Sequence, residues 1–136
     1  MSRPTIVCLC GSTRFREIFE EANKLETLAG KIVLTVGFFA HGGDGEPTEE
    51  QKKTLDELHL RKIDLADEVL FLNVTGYIGS STARELAYCI HTHKKFTFRE
   101  RERGELYMED NAHPLGKLVA EFARVDSSKE EPVSLR

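Results

Sequence analysis

At 136 residues the chain has room for one domain and one hydrophobic core. Hydrophobic residues make up 40% and charged residues 31%, enough for a core, while no apolar run approaches the ~18 residues of a membrane span. The formal net charge of -4 removes any general attraction to nucleic acid or anionic lipid, so neither partner is expected and a bound nucleotide needs a local site.

Met1-Ser2-Arg3-Pro4 leads straight into a strand-like run without the apolar stretch of a signal peptide, which predicts a cytoplasmic protein. Cys8, Cys10 and Cys89 show no Cys-x-x-Cys spacing, so buried reduced thiols are expected rather than disulfides or a zinc site. His91, His93 and His113 have no partner at ligand spacing. No metal and no cofactor are expected.

Thr5–Cys10 is a nearly continuous apolar run ending at Gly11, the pattern of a central strand covered on both faces. From Phe15, apolar residues recur at Ile18, Phe19, Ala22, Leu25, Leu28 and Ala29, one helical stripe closed by Gly30. Lys31–Val36 reads as a second strand, and Gly37–Glu46 as a mobile Gly-rich loop. Thr48 and Gln51 form a capping box that opens a second helix running to about Ala66.

Val69–Val74 is a third buried strand; Gly76–Ser81 leads to a third helix with Leu86, Ile90 and His93 on one face; Lys95–Phe98 is a short fourth strand. Arg99–Asn111 is densely charged and lacks an apolar period, a solvated excursion or an oligomer arm. Leu115, Leu118, Val119 and Phe122 suggest one more short helix, and residues 126–136 a disordered tail. The expected fold is a single-domain Rossmann-like (flavodoxin-like) α/β domain over residues 1–125. It has a parallel sheet of four or five strands with helices on both faces, and ligands bind beyond the carboxyl ends of the strands.

Gly11-Ser12-Thr13-Arg14 follows the first strand, where backbone N–H groups, two hydroxyls and a forked guanidinium suit a phosphate. The bland alternative is that Ser12 or Thr13 only caps the helix. Glu85 follows Gly79-Ser80-Ser81-Thr82 at the same strand edge. It reads either as a capping-box partner of Thr82 or as a nucleophile for an oxocarbenium-like sugar carbon. His59 lies near the buried face of the second helix, Asp64 and Asp67 near its end, and these are the few candidates for protonating a departing base. His41 and Asp44 in the Gly-rich loop could touch a base or close over it as a lid, and Asn73, near the end of the third strand, is a further substrate-binding candidate.

Cys8-Leu9-Cys10-Gly11-Ser12-Thr13-Arg14, Ala66-Asp67-Glu68-Val69-Leu70-Phe71-Leu72 and Gly79-Ser80-Ser81-Thr82-Ala83-Arg84-Glu85-Leu86-Ala87 together resemble the nucleoside 2-deoxyribosyltransferase-like superfamily. The likeness spans roughly residues 5–98, and the first loop is most similar to the branch that hydrolyses 2'-deoxynucleoside 5'-monophosphates. The resemblance implies that Glu85 is the nucleophile, that Ser12 and Arg14 hold the phosphate with help from Ser80 or Ser81, and that Gly11 permits close backbone approach. Where the family places an Asp two helical turns before Asp67, this chain has His59, and Asp64 is out of register. The resemblance also implies a homodimer or higher homo-oligomer, with Phe38, Phe39 and Tyr77 near the mouth of the site.

Three functional expectations follow: an N-glycosidase acting on a (2'-deoxy)nucleoside 5'-monophosphate, a transferase passing the same sugar to another base, and a non-catalytic nucleotide sensor. A phosphoribohydrolase of the lysine-decarboxylase-like type is only faintly echoed by Gly76-Tyr77-Ile78-Gly79. A phospho-receiver is disfavoured because the first strand does not end in an acidic cluster.

Overall fold

The computed structural model describes residues 3–100. Four parallel strands, β1 (Ile6–Gly11), β2 (Ile32–Leu34), β3 (Glu68–Leu72) and β4 (Phe96–Phe98), alternate with three helices, α1 (Arg16–Leu28), α2 (Glu49–Leu65) and α3 (Ser80–His91). The sheet order is β2-β1-β3-β4, with Cys8 opposite Leu34 on one side and Val69 on the other. The fold is α/β and Rossmann-like.

The apolar run of β1 is continuous because both faces of this central strand are covered. Val7 and Leu9 point to one side and pack with Phe19 and Ala22 of α1 and with Leu72. Cys8 and Cys10 point to the other, where they meet Ile63 of α2, Leu86 and Cys89 of α3, and Val69 and Phe71 of β3. The two-residue period of a strand therefore sorts one run of sequence into two cores. Each fully buried Phe or Leu in them contributes on the order of 2 kcal/mol.

Local signals at the helix ends behave as the sequence reads. Thr48 Oγ1 accepts from Gln51 N at 3.1 Å and Gln51 Oε1 accepts from Thr48 N at 2.9 Å, a complete capping box at the start of α2. Past the end of α1, Gly30 takes φ 88°, a left-handed value that suits glycine and lets Lys31 N donate to Glu26 O.

Four expectations are corrected. The second strand is only three residues long, because Thr35 and Val36 leave the ladder and the Lys62 ammonium takes the Thr35 carbonyl at 2.6 Å. The Gly-rich segment is pinned rather than loose. Its Ala40–Gly42 stretch forms a 3-10 turn, Asp44 Oδ2 accepts from Phe39 N at 2.8 Å, and Arg16 reaches the Gly42 carbonyl and Asp44. The third helix stops at His91, leaving His93 beyond it at φ 58°. Thr82 is not its cap: Gly79 is, without a side-chain bond, so α3 begins three residues earlier than a Thr82–Glu85 capping box requires.

Beyond Glu100, the charged excursion, the helix near residues 115–122 and the tail at 126–136 lie outside the described residues. Among those described, no helix is long and apolar enough to cross a membrane.

Candidate functional site

The chain leaves β1 to reach β2 on one side of it, and later reaches β3 on the other. The loops after β1 and β3 therefore diverge, opening a crevice at the carboxyl edge where the strand order reverses. A cleft of about 750 Å³ occupies this position, within the roughly 300–1,000 Å³ typical of small-molecule sites.

Gly11, Ser12, Thr13 and Arg14 line one part of the cleft, and Gly79, Ser80, Ser81, Thr82 and Glu85 another. His59 lies on the α2 wall with Lys52, Leu55, Asp56 and Lys62. Most of the residues singled out in the sequence thus share one space. Gly11 sits in tight packing: a Cβ there would come within 3.1 Å of Leu72 Cβ and 3.3 Å of Phe19, so these neighbours would have to give way slightly. The Arg14 guanidinium lies 4.5 Å from the centre of the Tyr77 ring, a cation–π contact that orients it beside the cleft. Helix α1 starts later than the sequence suggested, at Arg16 with Phe15 as N-cap, so neither Ser12 nor Thr13 caps it. The Ser12 hydroxyl instead accepts from Arg14 N at 3.4 Å.

Two expected residues are placed differently. Asn73 is only 2% exposed, and its amide serves the backbone of Glu100, accepting from its N–H at 2.9 Å and donating to its carbonyl at 3.3 Å. It does not line the cleft. Asp64 also lies elsewhere, held by Tyr88 Oη at 2.6 Å and Arg61 at 3.1 Å. Five residues on from His59, it falls about 140° around the helix. His41 falls in the 3-10 turn, and its side chain lies outside the described parts. Near the mouth, Tyr77 packs edge-on against Phe15, and Phe39 against Phe19.

Electrostatics concentrate at the floor. Glu85 is half-buried on the cleft wall, and burial pushes its pKa up to about 7 against the opposing pull of His59. A hydrogen bond with Cys10 also favours the charged form. His59 is 6% exposed. Burial disfavours its charged form, but the hydrogen bond with Cys8 and the field of Glu85 outweigh it, so its pKa lies above the ordinary value. Cys8 is drawn down to about 6, chiefly by a hydrogen bond with Cys10 and then by His59, although burial opposes this. Cys10 moves far upward because it is wholly buried.

Sequence reading missed Lys52, Asp56 and Lys62. The Lys52 ammonium bridges Asp56, at 3.0 Å, and the Ser81 hydroxyl, at 3.1 Å, tying α2 to the start of α3 across the cleft. The signal was present: positions 52, 55, 56, 59 and 62 share one face of a helix at 100° per residue. Comparison of the chain with protein families, with curated proteins and with solved structures finds no match.

Proposed function

We propose that the chain cleaves the N-glycosidic bond of a (2'-deoxy)nucleoside 5'-monophosphate. The observation that carries this reading is that Glu85 and the Gly11–Arg14 loop line a single cleft of nucleotide size. In the proposed reaction a Glu85 oxygen attacks the anomeric carbon. The carbon–nitrogen bond breaks, its electron pair leaves with the base, and water then hydrolyses the glycosyl ester and regenerates the carboxylate. The 5'-phosphate lies against Ser12, Thr13 and Arg14, where hydroxyls, amides and a guanidinium supply complementary donors.

The nucleophile must be ionised. Because burial holds the Glu85 carboxyl near 7, the reactive fraction rises with pH through that value, and His59 supports the charged form. His59 is also a titratable group on the cleft wall whose proton can move toward a departing base. Transfer to an acceptor base uses the same covalent step, so a transferase differs only in what enters second.

The test is to incubate the protein with each deoxynucleoside 5'-monophosphate and follow free base by chromatography. Release should disappear in Glu85→Gln and fall in Arg14→Ala, where the loss should be larger for monophosphates than for nucleosides. Release that continues unchanged in Glu85→Gln removes the carboxylate from the mechanism. Binding without release in the wild type favours a sensor.

A further inference from the structure

Cys8 and Cys10, two residues apart on β1, project from the same face of the strand toward α2, where His59 comes down between them. The Nε2 atom of His59 lies 3.7 Å from Cys8 Sγ and 3.4 Å from Cys10 Sγ, and the three donor atoms fall within 4.8 Å of one another. The Leu9 carbonyl oxygen is a further 3.0 Å neighbour of the same nitrogen. An imidazole nitrogen carries either one proton or one lone pair, so it cannot hydrogen-bond fully to all three at once. An ion seated between the two sulfurs would take the nitrogen's lone pair and join both sulfurs to it at once, in place of the hydrogen bond to the Leu9 carbonyl.

We propose that Cys8, Cys10 and His59 form a binding site for a thiophilic divalent cation of the zinc type at the floor of the cleft. With metal–sulfur bonds of about 2.3 Å and metal–nitrogen bonds of about 2.0 Å, tetrahedral geometry sets sulfur and nitrogen about 3.5 Å apart. The two observed separations straddle that value. Two soft sulfurs and an imidazole select zinc over magnesium or calcium, which require oxygen.

Both sulfurs are wholly buried, whereas His59 and Glu85 line the cleft, so the ion reaches the site from the cleft side. Three protein donors leave a fourth position for water or for Glu85, whose charge acts on both Cys10 and His59. The ion binds thiolates, so its binding releases the proton that the Cys10 thiol carries. A bound ion takes the His59 nitrogen out of proton transfer and, if it engages Glu85, withdraws the carboxylate from sugar chemistry as well; only these consequences rest on the proposed glycosidase reading.

The test uses the full chain, kept reduced with a phosphine, freed of metal and titrated with Co2+ and then Zn2+. One equivalent of Co2+ should give the intense visible bands of a tetrahedral site together with thiolate-to-cobalt charge transfer, and Zn2+ should abolish both. Cys8→Ser and Cys10→Ser should each weaken binding by about a hundredfold. Cys89→Ser, which removes a buried cysteine outside the trio, should leave it unchanged.

Absence of the bands in the wild type, an octahedral spectrum without charge transfer, or bands that survive in Cys8→Ser would each overturn the site. Should the two cysteine variants fold poorly by circular dichroism, the folded wild type answers instead: calorimetry must show one Zn2+ bound per chain and thermal scans a raised melting temperature, and failure of either refutes the proposal. These readouts are spectroscopic or thermodynamic, so they stand or fall apart from any hydrolysis of nucleotides.

Discussion

Replacing Glu85 with Gln keeps the shape of the side chain and removes its charge. The carboxyl has an ordinary pKa of 4.5 and is held at about 7 in the fold, chiefly by burial. Between those values the native state binds a proton that the unfolded chain has released. The stabilising contribution is therefore fully present below pH 4.5 and is lost as pH rises through 7. At about 1.4 kcal/mol per pH unit, the ionised carboxylate destabilises the fold by on the order of 3 kcal/mol above pH 7. Glu85→Gln should thus match the wild type near pH 4.5 and exceed it by roughly that amount near pH 8. Equilibrium urea denaturation at both pH values, with a chelator present, measures the difference. A gap between the two proteins that stays constant with pH would refute the assignment of a buried, proton-retaining carboxyl. A more stable protein that no longer releases base is the pattern expected of a group kept for chemistry.

Three further outcomes follow from the geometry. Asp67 is held by Nη1 and Nη2 of Arg3 and by Ile6 N at 2.8 Å, so its pKa is depressed and its contribution is present above the ordinary carboxylate range and lost on acidification. Asp67→Asn should therefore lower the melting temperature at neutral pH and flatten its fall in acid, as read by thermal scans across pH. Gly42→Ala would set a Cβ 2.8 Å from the Thr13 carbonyl and 2.9 Å from Phe39 Cβ. Overpacking of this kind costs about 1–3 kcal/mol, and because it prises the loop after β2 from the loop after β1, nucleotide binding by calorimetry should weaken as well. Asp64→Asn, which alters a surface contact with Tyr88 and Arg61, should leave the rate of base release unchanged, and a large loss would reinstate it at the site.

Much of the fold was legible because its signals are local. The apolar run of β1, the capping box at Thr48 and Gln51, and Gly30 closing α1 each depend on a few adjacent residues obeying strand or helix geometry. Boundaries failed where a long-range contact overrode the pattern, as when Lys62 took the Thr35 carbonyl and shortened β2. The capping-box reading of Thr82 and Glu85 failed for a related reason. The sequence fits it, but α3 begins at Ser80 and places Thr82 inside its first turn, leaving Glu85 on the cleft wall.

By itself the sequence determined that this is an α/β chain with a polar, glycine-bearing loop after its first strand and an acidic residue early in its third helix. Tertiary structure decided which groups meet. It carried Asn73 and Asp64 away from the cleft and put Lys52 and Asp56 into it. It also gathered Cys8 and Cys10 around a histidine about fifty positions along the chain. Spacing in sequence cannot report such a cluster, because which faces of a strand and a helix meet is fixed only when the sheet and its helices pack together.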